Sequence, residues 1–234
     1  MLSLSVITHV YNGQEAMLRQ LHTWMQIPEA QRRQIEFIVV DDFSDIPLKL
    51  PPCEINLSLF RVDDDIAWNQ PGCRNLAAMM AKSSWLLFFD ADNVLAPVGF
   101  DLLLRGLGQI PSDTLYTFGR LEAGKIASSH VNTFLVRRDA FFEAGPYDED
   151  FSGHYGYDDI MLRNLWKKNV GNERYIADIM FQQLSIATQS LDRDLQTNRN
   201  RLIQKLNQGL PRPRGIVRFA WTLVERRHMA SGEL

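Results

Sequence analysis

Two pairs of acids stand out for the chemistry they could share. Asp90 and Asp92 are separated only by Ala91 and follow the apolar run 85–89. With one residue between them, both carboxylates can reach one divalent cation or its bound diphosphate. Mg²⁺ and Mn²⁺ are hard cations that often combine a carboxylate or two with phosphate oxygens. A metal held there would neutralise charge developing on a leaving diphosphate. The competing reading of Asp-x-Asp is a turn or helix cap at a strand exit. The second pair, Asp158-Asp159, follows Gly153-His154-Tyr155-Gly156-Tyr157. One carboxylate would serve as general base toward an acceptor hydroxyl, and the other would hydrogen-bond the acceptor. The glycines and aromatics before them suit a loop with a sugar-stacking platform. The competing reading is acids in a helix's first turn, complementing its dipole.

These residues need elements to bring them together. Short apolar runs predict strands over 2–8, 35–40, 55–62 and 85–89, with later strands over 115–118 and 133–136. Helical spacing predicts helices over 14–26, 71–82, 97–107 and 158–168, with Pro71 and Pro97 suited to a first turn. Strands alternating with helices imply βαβ units and an α/β fold with a mainly parallel, Rossmann-like central sheet flanked by helices. In such sheets ligands bind beyond the carboxyl ends of the strands. The polar clusters 8–12, Asp41-Asp42 and 90–93 all lie at those ends. Pro211-Arg212-Pro213-Arg214-Gly215 then breaks the chain, and 216–228 reads as an arginine-rich helix for docking on the domain, a partner or a membrane surface.

Composition is that of an ordinary globular chain of 234 residues, 45% apolar and 23% charged. That length is enough to bury roughly 70% of the surface the unfolded chain exposes. The net charge of −3 and a pI near 6.0 give no footprint for nucleic acid. Two cysteines, Cys53 and Cys73, form neither a zinc pattern nor a disulfide framework. With no signal peptide and no apolar run of membrane-spanning length, the expected setting is cytoplasmic, with peripheral membrane attachment through the basic tail as the variant.

Taken in order, the motifs resemble the family-two glycosyltransferases, which have the GT-A fold. The matching pieces are Ser5-Val6-Ile7-Thr8 with Tyr11-Asn12, then Val39-Val40-Asp41-Asp42-Phe43-Ser44, and Trp68 to Asn75. Phe89-Asp90-Ala91-Asp92, Phe134 to Arg138, Gly145 to Glu149, and Gly156-Tyr157-Asp158-Asp159 complete the set, which spans roughly residues 3 to 170. The resemblance implies an inverting, metal-assisted hexosyl transfer from a nucleotide sugar, UDP-linked in the expected case, to the hydroxyl of a glycan or other acceptor. Thr8, Tyr11, Asn12 and the Asp41-Asp42 pair would hold the base, with either aspartate accepting from a uracil ring N–H. Arg74 would approach the ribose or diphosphate, and Asn75 would brace its loop. Asp90 would contact the ribose or a metal-bound water. Asp92 would ligate Mn²⁺ or Mg²⁺, with Asp90 as a second candidate ligand. Asp159 matches the family's base, and Asp158 stands where Glu is commoner. His130, His154 and Tyr157 are candidate contacts to donor or acceptor sugar, although packing also accounts for His130. The family's later metal-ligating histidine has no counterpart here; Gln182 and Gln183 lie near its place.

The implied organisation is a glycosyltransferase domain over 1–190, with a nucleotide half to about 93 and an acceptor half from about 94. A helical extension over 191–234 follows. Two rival functions share parts of this pattern. A haloacid-dehalogenase-like phosphohydrolase would use Asp90 as nucleophile, but its usual downstream Ser or Thr, Lys and strand-end acids are missing. A non-catalytic nucleotide-sugar-binding module would need neither acid pair intact.

Overall fold

The computed structural model describes residues 2–184 and 192–229. Its centre is strand β1 (Leu4–Val10), with β2 (Ile35–Asp41) parallel on one side and β4 (Trp85–Phe88) parallel on the other. Strand β3 (Asn56–Val62) pairs parallel with β2. Every residue of β2 and β4 is buried, as expected of parallel strands covered on both faces. Alternate side chains of these strands feed two cores. Val6, Phe37 and Leu87 point to one, which α1 (Gln14–Met25) seals with Met17, Leu21 and Trp24. The Trp24 and Phe37 rings stack there at 4.4 Å. Ile7, Ile38 and Phe88 point to the other, which α3 (Gln70–Met80) seals with Leu76 and Ala77. A short helix, α2 (Glu29–Arg32), joins α1 to β2.

The half beyond β4 is mixed. Beyond β4, β8 (Phe134–Arg137) and β6 (Thr114–Glu122) add antiparallel pairs. Next come β9 (Asn172–Gln183), parallel to β6, and β5 (Asn93–Leu95), antiparallel to β9. The hairpin strand β7 (Lys125–Ala127) flanks β6. Helices α4 (Pro97–Gly106), α5 (Arg138–Ala144) and α6 (Asp158–Asn169) cover this half. The strand order is β10-β3-β2-β1-β4-β8-β6-β9-β5.

The C-terminal extension corrects one expectation. It contains a helix, α7 (Gln196–Asn207), but the segment expected to form a second helix ends in strand β10 (Trp221–Arg227). β10 pairs antiparallel with β3 and extends the sheet. The open edge of β3 offers unpaired backbone groups, and Trp221 packs edge-on against Phe60 at 5.6 Å. Three of the tail's arginines hold it to the domain, two of them from exposed positions. Arg212 donates to the Glu143 carbonyl, Arg218 pairs with Glu149 and Asp150, and Arg227 pairs with Glu225 and donates to the carbonyls of Leu50 and Pro51. Among the described residues no helix is long and apolar enough to cross a membrane.

Candidate active site

The carboxyl ends of β1, β2 and β4 share one rim, and two adjoining cavities open there. The smaller, about 330 Å³, is lined by His9, Tyr11, Asp42 and residues 65–70 other than Asn69. The larger cleft, about 680 Å³, is lined by both acid pairs together with His130, Asn132, His154, Tyr157 and Gln183. Trp68 and Gln70 line both, so the two cavities meet at the start of α3.

In the smaller cavity the structure separates Asp41 from Asp42. Asp41 is spent on its own loop: its oxygens accept from Ser44 N at 3.0 Å, Leu48 N at 2.9 Å and Arg61 Nη1 at 2.7 Å. Asp42 faces the cavity, and its Oδ1 is buried without a hydrogen-bond partner among the described residues. Burial pushes its carboxyl up to about 7, against the Cys73 thiol and with help from Asp41. Asn12 also serves its loop, donating to Ser44 Oγ and Asp45, so its side chain braces the wall rather than lining this cavity. Thr8 is 1% exposed and points with Val6 and Val10 away from the cavity. His9 occupies the place expected of Thr8. The period-two alternation of a strand puts residues 9 and 11 on one face, and that signal was available in the sequence. Burial, then Arg74, pushes the His9 imidazole down to about 4 against the pull of Asp90, so it is neutral near pH 7.

Arg74 also departs from expectation. It is 1% exposed and points inward. It ion-pairs with Asp90, donates to Tyr147 Oη at 2.7 Å and reaches the Asn132 carbonyl at 3.2 Å. Its guanidinium is therefore a buried counter-charge for Asp90, not an exposed diphosphate contact. Asn75 is fully buried and locks the loop after α5, donating to the Tyr147 carbonyl and Glu149 Oε1 and accepting from Tyr147 N.

The Asp-x-Asp pair divides by environment. Burial favours the protonated form of Asp90, but Arg74, His130 and His9 outweigh it and hold the carboxyl below the usual range. Its second oxygen meets Asn132 Nδ2 at 3.3 Å and His130 Nδ1 at 3.5 Å. Asp92 has no such cation. Burial and the charge of Asp90 push it up, and His130, Gln183 and its own backbone N–H pull the other way. The β5–β9 register sets Gln183 opposite Asn93, where its Nε2 lies 3.4 Å from Asp92 Oδ2. Among the described residues, no three His, Cys, Asp or Glu side chains converge as a metal cage. The donor set thus fits a hard cation held by Asp92 and chiefly by a ligand's phosphate oxygens. An added positive charge would relieve the strain on the Asp92 carboxylate.

Asp158 and Asp159 open α6 after a left-handed turn at Gly156 (φ 80°) and Tyr157 (φ 67°). Asp158 is buried and accepts from Gln70 Nε2 at 2.9 Å. Burial and neighbouring Asp159 push it up to about 6, partly offset by Arg74 and Gln70. Asp159 Oδ1 accepts from the Ile160 N–H at 2.7 Å. His154 and Tyr157 line the cleft beside Asp158 and Asp159, and His130 lines it beside Asp90. Trp68 pins its loop: Nε1 donates to the Asp192 carbonyl at 2.7 Å, and its ring lies 4.6 Å from Tyr155. Gln70 was not legible as a site residue, since nothing local to α3 announces a partner 88 positions away.

No protein-family model matches the chain, and a search of curated proteins finds no match. Solved structures do match. Residues 1–349 of S. aureus TarS superpose with a TM-score of 0.64 at 14% identity, over 78% of this chain and 60% of that one. The same fragment in complex with UDP-GlcNAc gives 0.65 at 13%, over 80% and 60%. GalNAc-T7 with UDP, GalNAc and Mn²⁺ gives 0.59 at 15%, over 79% and 44%. The chain has the GT-A fold. It spans less than two thirds of the length of these neighbours.

Proposed function

We propose that this chain is an inverting glycosyltransferase that moves a sugar from a nucleoside diphosphate, UDP in the expected case, to an acceptor hydroxyl. The observation that carries this reading is that Asp158 and Asp159 line the same cleft as Asp90 and Asp92, beside a cavity holding Tyr11 and Asp42. A base in the smaller cavity would lie against Tyr11, with Asp42 accepting from a ring N–H. Asp90, held ionised by Arg74, would accept from the ribose. Asp159 takes the proton of the acceptor hydroxyl as that oxygen bonds to the anomeric carbon. The bond from the anomeric carbon to the phosphate oxygen breaks, and its electron pair leaves with the diphosphate. Attack from the face opposite the leaving group gives inversion. A divalent metal at Asp92 would neutralise charge on the diphosphate. Asp158, bonded to Gln70, orients the start of α6. His130, His154 and Tyr157 would contact the donor or acceptor sugar.

The GT-A neighbours, solved with UDP, UDP-GlcNAc or Mn²⁺, support this choice of donor and metal. The phosphohydrolase reading is weakened by Asp90, whose two oxygens already face Arg74, Asn132 and His130.

The test is donor hydrolysis and transfer by wild type, Asp159→Asn and Asp92→Ala, beside UDP affinity with and without Mn²⁺. Asp159→Asn should lose turnover by about a hundredfold or more while still binding UDP. Equal turnover in that variant would sink the base assignment. Tight donor binding by a wild-type protein that never turns over would favour the binding module. Asp92→Ala should bind UDP equally with and without Mn²⁺, at the weaker metal-free level; a Mn²⁺ enhancement as large as that of wild type would remove Asp92 as a ligand.

A further inference from the structure

The C-terminal helix α7 follows the catalytic half in sequence, yet one of its side chains enters the loop that carries the acids. Asn198 is fully buried. Its Nδ2 donates to three carbonyls of one short loop: Phe151 at 2.9 Å, His154 at 2.8 Å and Gly156 at 2.9 Å. Two N–H bonds serve three acceptors, so the loop must wrap closely around the amide. Its Oδ1 in turn accepts from Arg201 Nη1 at 2.5 Å, which fixes which way the amide faces. Nearby, Leu195 closes on the Gly156 backbone: a Cβ at Gly156 would meet Leu195 Cδ2 at 2.7 Å. The loop then passes through Tyr157 directly into Asp158-Asp159.

We propose that Asn198 is a positioning residue for the general base. It holds the 151–156 loop in the one course that delivers Asp159 to the cleft, so the extension completes the acceptor side of the site. This rests on the glycosyltransferase reading for its catalytic meaning, but not for its structural content. A backbone loop carrying three carbonyls toward the interior needs donors, and on these three Asn198 supplies them from outside the loop. Any shift of the loop moves both acids together, and a displacement of about 1 Å at a reacting group can cost on the order of a hundredfold in rate.

The test compares wild type with Asn198→Ala, Arg201→Leu and the exposed α7 change Ile203→Ala. Three quantities are read: amide hydrogen exchange over 151–157, UDP affinity, and kcat and acceptor KM for transfer. Asn198→Ala should speed exchange in that loop, lower kcat by about tenfold or more, and leave UDP affinity within about twofold. Arg201→Leu, which keeps the amide but frees its orientation, should shift the same readouts less. Ile203→Ala should shift none. Unchanged exchange over 151–157 in Asn198→Ala would overturn the proposal, as would a loss of UDP affinity in parallel with kcat. If Asn198→Ala does not fold, Arg201→Leu decides by the same criteria. Should wild type show no turnover, the exchange result still stands on its own, and only the glycosyltransferase reading fails.

Discussion

Asp41 spends both oxygens on two donors of its own loop and on Arg61. Asp42, one residue on, lines the cavity and keeps one oxygen, Oδ1, buried in a dry setting without a partner among the described residues. That setting costs stability in a defined window. The folded-state carboxyl titrates near 7, against 3.8 when unperturbed. A raised acid stabilises the fold fully below its unfolded value, and this contribution is lost as pH rises through the folded value. Asp42→Asn, which mimics the protonated form, should therefore stabilise the protein at pH 8 by roughly 2 to 4 kcal/mol. The gain should vanish toward pH 4, while UDP affinity falls. Urea midpoints and UDP titrations at both pH values check this; a variant less stable than wild type at pH 8 would contradict it. Which aspartate faces the cavity was not legible in the sequence, because the choice depends on Arg61 and residues 44 and 48 closing around Asp41. The exchange of Thr8 for His9 was legible in principle, through strand parity.

At the scale of elements, the four parallel strands could be read directly. β2 and β4 are short apolar runs buried on both faces, β1 is nearly so, and β3 alternates buried with half-buried positions. β9 and β10 could not. Asn172–Gln183 is exposed along most of its length, so it carries little apolar signal. Residues 217–224 of the tail fit a helical spacing as well as an extended one. What decides between them is the edge of β3, which lies far away in sequence. The consequence is testable. A chain ending at Leu210 would uncover that edge, lose the Trp221–Phe60 contact and strip Glu149 of the N–H bonds from Val217 and Arg218, at 2.6 and 3.0 Å. Glu149 is 6% exposed, and a buried carboxylate left short of donors is costly. Tm should fall by about 10 °C or more, with faster aggregation through the bare strand. A monodisperse truncated chain with the wild-type Tm would show that β10 is an ornament of the sheet.

Across the whole molecule, the half carrying the parallel strands and the half beyond β4 meet at Gln70. Its side chain lines both cavities, and its amide donates to Asp158 from the opposite half at 2.9 Å. This bond does two things. It joins the start of α3, beside the smaller cavity, to the start of α6, which carries Asp158 and Asp159. It also favours the ionised form of Asp158 against burial and the charge of Asp159. Gln70→Leu keeps the approximate volume and removes the donor. Asp158 should then titrate further above its present value of about 6, because the charged form loses a partner. The fraction ionised near neutrality falls, and because we propose that the Asp158 carboxylate orients the start of α6 and Asp159 with it, the acid limb of the kcat profile should move to higher pH. Losing a charge-assisted hydrogen bond of about 1.5 to 3 kcal/mol raises the carboxyl by about one to two pH units, which lowers the ionised fraction at pH 7, and kcat with it, by roughly twofold to fifteenfold. UDP affinity should stay within about threefold, since the base's own contacts, Tyr11 and Asp42, are untouched. Measuring kcat between about pH 5 and 8 beside UDP binding separates the outcomes. A uniform fall in kcat with an unmoved acid limb would mean that Gln70 only packs the joint. A moved limb with intact UDP binding would mean that the two halves are coupled through the ionisation of Asp158.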